Sequence, residues 1–151
     1  MTAVIGIDPG LAGGIATLFS GQQPLAWNMP ETERDVFNLL YYMTIDSSTT
    51  HAYIEQVHSM PKQGVASSFK FGMGYGGLRM ALIAAKIPFT TVTPGKWQQA
   101  MQCRSGGDKN VTKRRAQELF PSLTVTHALA DALLIASYGY QQVTGKPWTG
   151  G

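Results

Sequence analysis

Three acidic residues stand where acids are costly. Asp8 closes the apolar, β-branched run Ala3-Val4-Ile5-Gly6-Ile7; Glu55 closes a second such run, His51-Ala52-Tyr53-Ile54; Asp131 interrupts the apolar stretch from His127 to Ala136. A carboxylate at the end of a buried strand, or in the first turns of a core-facing helix, loses its hydration unless something positive binds it. Asp8 has no basic neighbour in sequence, although an Asp can also serve simply to start the turn through Pro9 and Gly10. As a set the three acids point to a hard divalent cation, Mg2+ or Mn2+. Carboxylate oxygens suit those ions, and two metals about 4 Å apart can clamp the attacking and leaving oxygens of an in-line phosphoryl displacement.

The elements that must carry these acids can be read from hydropathy and turn residues. Residues 3–8 and 13–19 pair as strands around the Pro9-Gly10 turn, and 24–29 supplies a short third strand that Pro30 ends. From Glu31 to about Asp46 apolar residues recur at helical spacing, with Glu31, Glu33 and Asp35 at the end the helix dipole favours for acids. Residues 51–57 form the next strand and 65–86 one helix rich in small residues. The glycines between 64 and 77 fit neither the P-loop nor the dinucleotide fingerprint, so they suit close helix packing better than a nucleotide. A strand over 87–92 follows, then Thr93-Pro94 as cap and first-turn proline of a helix carrying Lys96 and Trp97. Gly106-Gly107 act as a hinge into a basic helix on which Lys109 and Lys113 share a face, and the apolar helix containing Asp131 comes last. This order predicts an α/β chain of RNase H-like type, a mixed five-stranded sheet flanked by helices. One domain spans 1–144, and 145–151 reads as a flexible tail.

Composition narrows the classes. At 151 residues the chain has room for one domain with a full core, and it contains no apolar run of membrane-spanning length. The single cysteine, Cys103, cannot form an internal disulfide; with no signal-type N-terminus, the expectation is a cytoplasmic protein, bacterial or in a phage-infected host. Charge is divided unevenly. Residues 1–55 hold six acids against Arg34, and residues 56–151 hold eleven bases against three acids, a net +8. Such a bias suits a polyanion. Lys62, Lys70, Lys96, Arg104, Lys109, Lys113, Arg114 and Arg115 are the bases expected at nucleic acid.

Four segments in order resemble the RuvC family of Holliday junction resolvases, in particular its bacteriophage-type members. They are Ile5-Gly6-Ile7-Asp8-Pro9-Gly10, Ile54-Glu55-Gln56-Val57, Thr93-Pro94-Gly95-Lys96-Trp97 and the stretch from His127 to Ala136. The match runs from about residue 3 to 140. The resemblance implies a homodimeric, Mg2+- or Mn2+-dependent endonuclease that cuts two strands of a four-way DNA junction symmetrically. It makes Asp8, Glu55 and Asp131 the metal-binding acids and puts Lys109 and Lys113 near the scissile phosphate, with Lys113 in a catalytic role. Phe69 or Met60 becomes the side chain offered to the junction, and the helix at about 65–86 the dimer contact.

One position departs from the family. Its fourth ligand falls three residues before the last acid, which here is Ala128. His127, four before Asp131 and on the same helical face, is the substitute expected as metal ligand or proton shuttle, while His51 and His58 are expected to be structural. Ile5-Gly6-Ile7-Asp8 also resembles the first phosphate motif of actin-like kinases, but those need two domains. The remaining alternatives are an RNase H-like nuclease acting on other branched DNA or an RNA:DNA hybrid, and a junction-binding module with weak catalysis.

Overall fold

The computed structural model describes residues 2–57 and 62–150. His58 and Met60, to which the sequence assigned a structural and a junction-facing role, lie outside the described residues. The chain runs β1 (Thr2–Asp8), β2 (Gly14–Phe19), β3 (Leu25–Asn28), α1 (Glu33–Tyr42), β4 (Thr49–Glu55), α2 (Val65–Ala84), β5 (Phe89–Val92), α3 (Pro94–Ala100), α4 (Lys109–Leu119) and α5 (His127–Thr144). The strands make one mixed sheet in the order β3-β2-β1-β4-β5. β2 is antiparallel to both β1 and β3, whereas β4 is parallel to β1 and to β5. This is the five-stranded, helix-flanked architecture expected of an RNase H-like chain.

Alternation along the strands sends side chains to two cores. Ile5, Ile7, Ile15, Ala52 and Ile54 pack with Val36 and Leu40 of α1 and with Leu78, Ala81 and Leu82 of α2. Val4, Ala16, Leu18 and Tyr53 face the other way, against α5 and the residues Trp97, Ala116 and Phe120 brought by α3 and α4. Asp8 and Glu55 have the parity of Val4 and Tyr53, and so project on the α5 side.

α5 lies unusually close to β1. A side chain at Gly6 would collide with the carbonyl of Ala132 and the backbone of Ala136, so only glycine permits the approach. Both core faces are apolar enough that β1 is buried throughout Ala3–Ile7, which fixes its register against slippage.

Capping explains most differences from the expected helix limits. α1 starts two residues later than the apolar spacing suggests, because Thr32 takes the cap and accepts from the Asp35 amide at 3.1 Å. Asp108 caps α4, accepting from the Asn110 amide at 2.9 Å. The turn before it needs both glycines: Gly106 and Gly107 have φ of +58° and +94°. Gly145, left-handed at φ 73°, closes α5. Beyond it the segment read as a free tail carries Trp148 back into the core, stacked on Phe120 and edge-on to Tyr140.

Candidate active site

Two parallel strands deliver the first two acids at one level. Ile7 of β1 pairs with Ile54 of β4, so the next residue of each strand, Asp8 and Glu55, leaves the sheet beside the other on the same face. α5 covers that face and contributes Asp131. The turn after β1 is tight, with the Gly13 amide donating to the Gly10 carbonyl at 2.9 Å. Gly13 packs so closely on Asp8 that any Cβ there would collide with its backbone carbonyl and crowd its carboxyl carbon.

The electrostatics describe a concentrated negative site. Burial pushes the Asp8 carboxyl up to about 6, helped by the charge of Asp131; Lys109 and the Gly10 amide pull it back. Burial lifts Glu55 to about 7, against a hydrogen bond from Trp97, with Asp8 and Asp131 adding to the rise. Asp131 is raised for the same first reason, while a Thr112 hydrogen bond, Lys109 and His127 lower it. Lys109, at the first position of α4, is thus the one cation among the described residues whose charge acts on all three acids. Lys113, expected in the catalytic role, is not among the charges that shift them; it lines an open surface groove with Asn110, Arg114 and Gln117.

Each acid is held differently. The indole nitrogen of Trp97 donates to Glu55 Oε2 at 2.7 Å. Asp131 has the buried hydroxyl of Thr112 beside it. His127, exposed at the first turn of α5, has its Nε2 3.1 Å from Asn110 Oδ1, so the imidazole bridges to α4 while its charge still acts on Asp131. His51, by contrast, bonds Thr90 across β4 and β5 and lies tilted against the Tyr53 ring, 5.1 Å between centroids.

The donor set fits a hard divalent cation in kind: three half-buried carboxylates that repel one another, with Lys109 and, at Asp131, His127 as the opposing charges. Among the described residues no three His, Cys, Asp or Glu side chains already stand close enough to hold one ion. A cation would have to draw the carboxylates in.

The remaining expected contacts divide by location. Lys62 lines an open, largely apolar groove of about 520 Å³ that runs from Glu55 past Gln56, Val57 and Pro94 to Phe71. Phe69 is 69 % exposed on α2, in line with Val65 and Met73, and does not line that groove, whereas Phe71 does. Lys70 borders a smaller cleft between Pro9, Leu11 and α2. Lys96 and Arg114 are exposed, and Arg104 bonds Gln99 at 2.8 Å. Arg115 is not a free base, because its guanidinium donates to the Met101 carbonyl at 2.9 Å and pairs with Glu118 at 3.3 Å. Cys103 is buried, its thiol pushed up to about 11 by burial, which makes it inert.

Sequence reading gave no role to Trp97, Asn110, Thr112 or Phe71. Asn110 had a usable signal in its position beside Lys109. Nothing local announces that the Trp97 N–H meets a carboxylate 42 residues away.

No family model matches the chain, and no curated protein matches it. Among solved structures it is similar to Thermus thermophilus RuvC, at 17% identity and a TM-score of 0.62, over 93% of this chain and 96% of that one. It is similar also to T. thermophilus RuvC in complex with a Holliday junction substrate, again at 17% identity, with a TM-score of 0.63 over 97% and 99% of the two chains.

Proposed function

We propose that this protein is a divalent-metal-dependent endonuclease that resolves four-way DNA junctions by paired nicks. The observation that carries the reading is the convergence of Asp8, Glu55 and Asp131 on one sheet face with Lys109 as the cation they share. A purely structural core has no use for three half-buried acids whose like charges oppose one another. The similarity in fold to RuvC, one example of which was solved with a Holliday junction substrate, supports the same substrate class.

Asp8, Glu55 and Asp131 would hold Mg2+ or Mn2+, which when bound supplies Lewis-acid activation of water and stabilisation of the leaving oxyanion. The chain's own residues do the rest. Lys109 holds the scissile phosphate against the acids and offsets charge that grows on it in the transition state. His127, oriented by Asn110, stands at the edge of the site as an added ligand or a proton carrier. The groove beside Glu55 gives flanking DNA a place to lie, with Lys62 for its phosphates and Phe71 for a base face. Lys70, Lys96, Arg104, Lys113 and Arg114 extend the basic surface.

The working form is a homodimer through α2. Val65, Phe69, Met73, Met80 and Ile83 recur at intervals of three, four and seven along that helix and are 54 to 89 % exposed, an apolar stripe that a second copy would cover. Phe69 then belongs to the dimer contact rather than to the junction.

The deciding experiment is strand cleavage of a mobile synthetic four-way junction beside a linear duplex and an RNA:DNA hybrid, with Mg2+, Mn2+ or chelator and with Asp8→Asn as control. Metal-dependent paired nicks in the junction alone are expected. Cleavage of the hybrid instead moves the enzyme to another nuclease class, and binding without cleavage makes it a junction-binding module.

A further inference from the structure

We propose that Trp97 is a positioning residue for the acidic site, its indole N–H holding Glu55 Oε2 and so fixing the orientation in which the Glu55 carboxylate is offered to a cation. The inference rests on the reading of the three acids as a cation site and assigns a residue to it that carries no charge and touches no substrate.

The geometry is specific. The N–H donates to Oε2 at 2.7 Å, short for a nitrogen donor, as hydrogen bonds to ionised carboxylates are. Trp97 is fully buried, in one cluster with Met101, Cys103, Ala116 and Phe120. The ring therefore cannot swing away. An indole nitrogen is a donor only and keeps its proton at every working pH. A serine or glutamine in the same place could rotate or reverse its role, but the indole offers one proton in one direction. One lone pair of Glu55 Oε2 is consequently committed, and the carboxylate oriented, before any ion arrives.

The position in the fold makes the arrangement work. α3 begins at Pro94 directly after β5, and β5 pairs in parallel with β4, whose last residue is Glu55. The Gln56 amide donates to the Val92 carbonyl at 2.7 Å, so the strand end carrying the acid is tied to the strand end that leads into α3 and its indole. Partners that orient a metal ligand in this way commonly change affinity 10- to 100-fold when removed.

Wild-type protein labelled with 15N at tryptophan gives three indole signals, those of Trp27, Trp97 and Trp148, assignable by through-space contacts. The Trp97 signal should lie furthest downfield and move on addition of Mg2+, saturating with the ion's calorimetric binding curve. Trp97→Phe, which keeps a ring in the core, should weaken Mn2+ binding 10- to 100-fold by calorimetry while four-way-junction binding in chelator stays unchanged. A merely structural tryptophan would lower the melting temperature and leave Mn2+ affinity where it was. Should Trp97→Phe fail to fold, the wild-type signal still decides: an indole that ignores Mg2+ while the ion binds overturns the assignment. Absence of Mg2+ and Mn2+ binding to the wild type would overturn the assignment and the cation site together, whereas unchanged affinity in a folded Trp97→Phe would overturn the assignment alone.

Discussion

Gly6 and Ala136 meet backbone to backbone, with no room between the central strand and α5 for a single methyl group. That contact sets the depth at which α5 crosses the sheet, and hence the approach of Asp131 to Asp8. Gly6→Ala should force the helix outward and cost about 1–3 kcal/mol or more, as overpacking does. The fall in melting temperature should come with weaker Mn2+ binding, since the acids move apart. A stable Gly6→Ala protein with unaltered Mn2+ affinity would show that the contact does not set the site.

Stability of the metal-free protein should decline as pH rises. Asp8 and Glu55 titrate near 6 and 7 in the fold, against ordinary values of 3.8 and 4.5, so between those limits the native state holds more protons than the unfolded chain. Their favourable contribution is complete below about pH 4 and is lost by about pH 7, on the order of a few kcal/mol in all. Melting curves in chelator from pH 4.5 to 8 test the sign. Asp8→Asn should melt above wild type at pH 8 in chelator, and Mg2+ should raise the wild type more than the variant. A melting temperature that climbs with pH contradicts the placement of the acids.

Lys109 and Lys113 should separate by phenotype although they share a helix face. Lys109→Met removes the charge that lowers all three acids, so junction cleavage should fall about 100-fold or more and its pH profile shift upward. Lys113→Met should leave the cleavage rate of bound junction within a few-fold and reduce the slope of log affinity against log salt. The reverse pattern would return the catalytic role to Lys113.

Asn110 and His127 should behave as one unit. If Asn110 orients the imidazole, Asn110→Ala and His127→Ala each slow cleavage by similar amounts and the double variant is no worse than either, a non-additivity expected of direct partners. Additive losses would mean that His127 acts without Asn110.

Met73→Asp on the exposed face of α2 should yield a monomer by sedimentation while keeping the fold, because Met73 is 54 % exposed and outside both cores. The monomer should bind Mn2+ as the wild type does and lose paired cutting. A dimer that survives the charge places the interface elsewhere.

Much of this was legible in one dimension because it depends on local physics. Alternation and helical spacing fixed the elements, since period 2 and period 3.6 are properties of neighbours along the chain. The element order then predicted the mixed sheet, and an acid at the end of an apolar strand was conspicuous at Asp8 and Glu55 because an unneutralised carboxylate is costly there. Helix limits were less legible. Thr32 competed with the apolar pattern for the start of α1, and capping won. What only the tertiary structure decided were relations across long separations. The parity of β1 and β4 with the register Ile7 to Ile54 put two acids on the α5 side; Gly6 let α5 bring the third. The partners of the Trp97 indole and the Asn110 side chain, and the reach of the Lys109 charge to the acids, depend on where helices land on that sheet. So do the place of Phe71 in the groove beside Glu55 and the return of Trp148 to the core. Sequence specifies which side chains can do chemistry, but the distance between them is a property of packing, and packing is settled by all the contacts of the core at once.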